Sequence, residues 1–289
     1  MLYLILSILS SISVGVLFKV LKKQTTNIFQ IIVLNYIVTV FLSFLIFKPS
    51  SITINAFPIF LIIGLGVLLP SIFLAQYLSI KNTGIIKTDI AQRMSLFIPI
   101  LASVFIFKEN ITNLKYIALL IGFISIGLIL NKNDHKEIKA KNNYFYLLLV
   151  FIGFGVIDVC FKQVALYSTI PYTSTLFYIF SCSLILSLIF YTVYIKFKKI
   201  KFEIAKKTML FGLLVGLLNF INIYFYLNAH KAFADNPTVV FAGMNYGVIL
   251  LGTLIGYFYF NEKLNKYNVI GLGFAVLSIG LLIISQVII

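Results

Sequence analysis

Ten apolar runs of roughly twenty residues, each closed by a charge or a turn residue, follow one another along this chain. Such runs leave little structural choice. In lipid every backbone N–H and C=O must bond inside the protein, which a single segment achieves only as a helix. The runs lie at approximately 2–21, 28–47, 56–79, 84–107, 114–131, 144–166, 172–195, 208–230, 237–260 and 267–288. The expected fold class is an all-α polytopic membrane protein with ten transmembrane helices.

Composition removes the main alternatives. At 61% hydrophobic and 11% charged, the chain lacks the charged surface, about a quarter of residues, that a soluble globule carries. A net charge of +15 would suit nucleic acid. The lysines, however, stand in short runs between apolar spans, as loops facing an anionic leaflet do, so the expected partner is the lipid bilayer and no nucleic acid. Cys160 and Cys182 sit inside spans with no CxxC spacing and no His partner, which supports neither a disulfide nor a metal site, and no cofactor is expected. Residues 1–18 lack a basic leader and a small-residue cleavage site and read as a retained first helix.

One segment occurs twice. FKENIT at 107–112 leads to SIGL at 125–128, and FNEKLN at 260–265 leads to SIGL at 278–281, so a constant shift of 153 lays Phe107 on Phe260 and Glu109 on Glu262. This marks a duplication. Two five-helix repeats follow, at 1–131 and 144–289, with 132–143 as a cytoplasmic linker. Lys and Arg divide unevenly between the loops: the odd-numbered loops hold three, two, four, six and two, which is 17, against five in the even ones. Positive-inside logic puts the odd loops in the cytoplasm and both termini outside. The bias also reverses between equivalent loops of the two halves, so the repeats are expected to be inverted.

The motifs SLFIPILASVFIFKENIT and MNYGVILLGTLIGYFYFNEKLN, each a helix, an acidic turn and the start of a further helix, resemble the signature of EamA-type permeases in the drug/metabolite transporter (DMT) superfamily. That resemblance implies a ten-helix secondary transporter of the cell membrane. It would move a small polar or amphipathic metabolite by alternating access, export being one direction, as a monomer or homodimer.

Charged groups inside spans point to where such chemistry would reside, because each costs about 2.5–3.5 kcal/mol on insertion scales. Arg93 is the tenth residue of a helix opening at Gly84, about 13 Å deep. Asp89, at i−4, can neutralise it, and Gln92 shares its face. The 153-residue shift places Asn245 and Tyr246 at the same depth in the ninth span. These five residues, with Asn222 and Asn219 on the polar stripe of the eighth span, are the candidate substrate-binding set. Asp158 and Lys162, again acid four residues before base, are the candidate coupling pair, with protons as the coupled partner.

Three structural expectations accompany these. Asn236 is expected to cap the helix begun by Pro237. Glu109 and Glu262 are expected to accept backbone N–H groups at the start of the helix that follows each. Ser7, Ser11 and Gly15, and Gly122, Gly127, Gly271, Gly273 and Gly280, are expected to be close-packing positions. An enzyme is not expected, since the chain has no HExxH, no Cys/His cluster and eight acids in all. Nor does a repeated filter-like loop or a ring of like charges suggest a channel.

Overall fold

Apolar runs that must satisfy their own backbones do so in eleven α-helices among the described residues. The computed structural model describes residues 1–21, 27–49, 58–130, 144–167, 171–199, 205–261 and 263–287. The elements are α1 (Leu2–Leu21), α2 (Ile28–Phe47), α3 (Ile59–Thr83), α4 (Ile85–Met94), α5 (Phe97–Phe105), α6 (Asn113–Ile129), α7 (Tyr144–Leu166), α8 (Tyr172–Lys198), α9 (Lys206–Ala232), α10 (Pro237–Phe260) and α11 (Lys266–Val287). The expected linker at 132–143 lies outside the described residues, as does Glu262. Among the described residues seven helices are long and apolar enough to cross a membrane: α2, α3, α7, α8, α9, α10 and most of α11. Their outward faces carry large apolar side chains such as Phe60 at 89% exposed, together with Phe197 and Phe258. A membrane-associated protein needs that surface; water would not tolerate it.

The fourth expected span is not one helix. It divides into α4 and α5 at Ser95–Leu96, and Pro99 is the cause: it has no N–H for the Ser95 carbonyl, and its ring crowds that carbonyl. The equivalent position in α10 is Gly252, and α10 runs unbroken.

Local geometry repeats with the sequence. Lys108 and Asn261, 153 apart, both take left-handed backbone conformations, with φ of 52° and 53°. Thr112 caps α6 by accepting from the Lys115 N–H, and Asn265 receives the Asn268 N–H in the same way at the start of α11. The pairing of helices has a similar regularity. α2 packs on α8, α6 on α11, α3 on α8 as α9 on α2, and α3 on α7 as α9 on α1.

Close approach explains two of the glycines. A Cβ on Gly122 would overlap the Tyr246 ring, and one on Gly271 would lie within 3 Å of Leu128 and Ile129. Gly122 thus admits α10 against α6, and Gly271 admits α6 against α11. By contrast Gly15, Gly127, Gly273 and Gly280 have nothing within 4 Å of such an atom, so the close packing expected of them is absent. Gly122→Ala should destabilise the bundle by about 1–3 kcal/mol through overpacking. Gly127→Ala should leave it unchanged or gain a few tenths, on the order of what removing an interior helix glycine returns. Thermal denaturation of the purified protein in detergent compares the two, and equal melting temperatures would refute the packing role of Gly122.

Candidate functional site

Arg93 sits in the last turn of α4, immediately before the interruption. Its Nε lies 3.4 Å from Asp89 Oδ1 in the expected i, i+4 pair, with side-chain exposures of 15% and 36%. That contact is an ion pair and not a hydrogen bond: Nε is buried with no hydrogen-bond partner among the described residues. Beside it Gln92 accepts from Gln76 Nε2 on α3 at 2.9 Å, which turns the α4 face toward α3. Ser79 and Thr88 tie the same two helices one turn further on, at 2.7 Å. A guanidinium with an unused donor, at a break in a helix, can receive a carboxylate or phosphate oxygen.

Asp158 and Lys162, the candidate coupling pair, do not bond to each other. Lys162, 0% exposed, points its ammonium at the end of α9 and donates to the carbonyls of His230 (3.2 Å), Phe233 (3.2 Å) and Ala234 (2.7 Å). The His230 carbonyl is one that a helix terminus leaves without an intrahelical partner, at the negative end of its dipole; Phe233 is the C-cap, its carbonyl also accepting from the Asn236 N–H, and Ala234 follows it. Asp158 instead accepts from Tyr226 Oη on α9 at 3.0 Å. Spacing allowed the pair, but three acceptors against one decided it.

A second buried lysine was missed by sequence reasoning. Lys115 on α6 is 0% exposed and donates to Glu109 Oε1 at 3.1 Å and to Asn236 Oδ1. Glu109 Oε2 in turn accepts from the Thr238 N–H (3.0 Å) and Thr238 Oγ1 (2.6 Å), and Ser103 bonds Thr238 at 2.8 Å. The carboxylate does accept at a helix N-terminus, as expected. That helix is α10, in the other half of the chain, and not α6. It displaces Asn236 from the capping role given to it, since Asn236 makes no side-chain cap bond. The signal that could have exposed Lys115 was the 153-residue shift, which lays it on Asn268, itself 2% exposed and donating to the carbonyls of Leu128 and Ile129 at the end of α6.

Three of the remaining candidates, Asn222, Asn219 and Tyr246, join one helix to another. Asn222 donates to the Ser7 carbonyl at 2.8 Å and to Ser7 Oγ at 3.1 Å, joining α9 to α1. Asn219 donates to Asn35 Oδ1 at 3.1 Å, joining α9 to α2. Tyr246 is 1% exposed and gives its hydroxyl to the Leu119 carbonyl on α6 at 3.3 Å. Asn245 bonds the Phe241 carbonyl one turn back on its own helix. No polar contact joins Asn245 or Tyr246 to Arg93 among the described residues.

Known proteins share both sequence and architecture with this chain. A protein of Haemophilus influenzae, described as uncharacterized, is 38% identical over 287 residues, covering 96% of this chain and 95% of that protein. The two belong to one family. No protein-family model matches the chain. A protein solved by crystallography superposes with a TM-score of 0.76 over 97% of this chain and 94% of its own, at 12% identity, which shows a common fold. Among the described residues no three His, Cys, Asp or Glu side chains gather as metal ligands would. Between α3 and α4, Gln76, Gln92, Asp89 and Arg93 thus form one polar cluster.

Proposed function

We propose that this chain is an integral, multi-pass secondary transporter of the cell membrane, an EamA-type permease of the DMT superfamily. In this reading ten spans, the fourth broken into α4 and α5, form two inverted five-span repeats that move a small polar or amphipathic metabolite by alternating access. The observation that carries the proposal is the position of Arg93. An arginine inside an apolar span is rare and costly, and this one stands at the interruption of a helix, where carriers build solute sites from discontinuous helices. The pairing of helices supports it too, since exchanging the halves carries α3–α8 into α9–α2, and α3–α7 into α9–α1.

Arg93, Asp89 and Gln92 form one wall of the proposed solute site, Asn245 and Tyr246 the matching segment of the other repeat. An anionic or zwitterionic solute fits the unused guanidinium donor. Thermal-shift screening of purified protein against amino acids and organic acids identifies the ligand by its stabilisation, and counterflow in proteoliposomes then measures transport. Arg93→Ala should lower apparent affinity about tenfold or more, the worth of one hydrogen bond to a charged group at about 1.5–3 kcal/mol. Arg93→Lys should retain part of it. Undiminished counterflow in both Arg93→Ala and Asn245→Ala would remove the site from this position.

A further inference from the structure

Asp158 is an acid on a membrane-length helix that the proposed solute site does not use. It stands on α7 eight residues before the helix ends, about 12 Å from that end. Its described hydrogen bond comes from a neutral hydroxyl, Tyr226 Oη at 3.0 Å. The cation that sequence spacing offered it, Lys162, is held by three carbonyls instead. One turn along α9 from Tyr226 lies His230, fully buried, its ring 4.6 Å from the Tyr226 ring and 4.8 Å from that of Phe241. Both His230 nitrogens lack a hydrogen-bond partner among the described residues. Acid, hydroxyl and imidazole thus follow one another toward the end where α7 and α9 finish. There a cleft of about 540 Å³ is bounded by Tyr167, Tyr172, Lys231 and Ala234, and Lys231 is the residue next to His230.

The other groups near Asp158 do not supply a counter-charge. On α7 itself stand Cys160 and Lys162, and α9 brings Tyr226 and His230. α5 carries no titratable side chain. α3 carries Tyr77 and Lys81, α4 Lys87, Asp89 and Arg93, and α8 Tyr172, Tyr178, Cys182, Tyr191, Tyr194, Lys196 and Lys198; none of them has a described bond to Asp158. Glu109 and Asp235 lie toward Lys162 at the helix end. An isolated carboxylate in an apolar interior is costly, and neutralisation by a proton removes that cost.

We propose that Asp158 is a proton-binding site, with Tyr226 holding its carboxyl and His230 passing protons to it from the cleft at the end of α7 and α9. The step is a simple one: the carboxylate takes one proton from water at that cleft and becomes a carboxylic acid, and the reverse releases it. Its meaning for transport, a proton moved with each cycle, rests on the carrier reading above. The binding of the proton does not.

Infrared difference spectroscopy of the full chain in lipid nanodiscs, with no solute present, tests it directly. The expected result is a protonated-carboxyl stretching band, shifted by deuterium exchange, that titrates away as pH is raised and is missing in Asp158→Asn. Tyr226→Phe should change the pH at which the band disappears, and His230→Gln should keep the band but slow its appearance after a pH jump. If Asp158→Asn does not fold, Asp158→Glu should move the band's frequency. A wild-type protein without the band, or a band unchanged by Asp158→Asn or Asp158→Glu, overturns the proposal. Loss of solute counterflow with the band intact would instead count against the carrier reading alone.

Discussion

Lys162→Met should destabilise the protein by about 1–3 kcal/mol, because it takes the donor from the buried His230 carbonyl and from the two carbonyls that follow α9. Met fills nearly the same volume as Lys and removes the cost of burying an ammonium, which by itself would favour the variant. Against that stands the buried carbonyl of His230, now without a donor at the end of α9, while the Phe233 carbonyl keeps the Asn236 N–H and Ala234 is exposed. A buried acceptor left unpaired costs about 1–3 kcal/mol. The unpaired His230 carbonyl and the lost interaction with the helix dipole together outweigh the gain from removing one desolvated ammonium. Lys231→Met is the comparison: that lysine is exposed and sits 4.7 Å over the Tyr172 ring, a contact of about 0.5–1 kcal/mol. Denaturation in detergent, followed by circular dichroism, should separate the two variants clearly. Similar losses in both would refute the capping role of Lys162.

How much of this was legible beforehand depended on how far apart the partners lie in sequence. Helix positions could be read because a membrane leaves an apolar twenty-residue segment one conformation; the expected span at 237–260 matches α10 residue for residue. The break in the fourth span was also written locally, in Pro99, but apolar length alone reads across it. The Asp89–Arg93 pair lies within one turn and formed as spacing suggested. The equally spaced Asp158–Lys162 did not, because the competing carbonyls lie 68 to 72 residues away and no local pattern announces them. Glu109 was readable as an acceptor of helix N–H groups, since that is what a carboxylate at a turn does, yet the helix it serves belongs to the other half. Tyr246 shows the limit of the repeat as a ruler. The 153-residue shift gives its depth, while the absent side chain of Gly122 decides that the ring packs toward α6.

Glu109→Gln should cost about 3–5 kcal/mol, and replacing Lys115 as well should return most of it. The wild-type pair is fully desolvated, with Lys115 at 0% and Glu109 at 6% exposure. Its two charges cancel, Asn236 accepts a second Lys115 N–H, and Thr238 donates twice to the other carboxylate oxygen. Gln keeps the shape, and its carbonyl oxygen can still accept one bond, but it leaves the Lys115 ammonium as an uncompensated buried charge. Removing one partner of a buried pair is the expensive operation, at about 3–5 kcal/mol; replacing both with apolar groups of similar volume is often close to neutral. Glu109→Leu combined with Lys115→Met should therefore be more stable than Glu109→Gln alone, short of wild type by the cost of the Thr238 N–H left uncapped, about 1 kcal/mol. A double-mutant cycle measured by thermal denaturation gives the coupling energy directly. If the two changes simply added, the bonds among Glu109, Lys115 and Thr238 would not be what ties the α5–α6 turn to the start of α10.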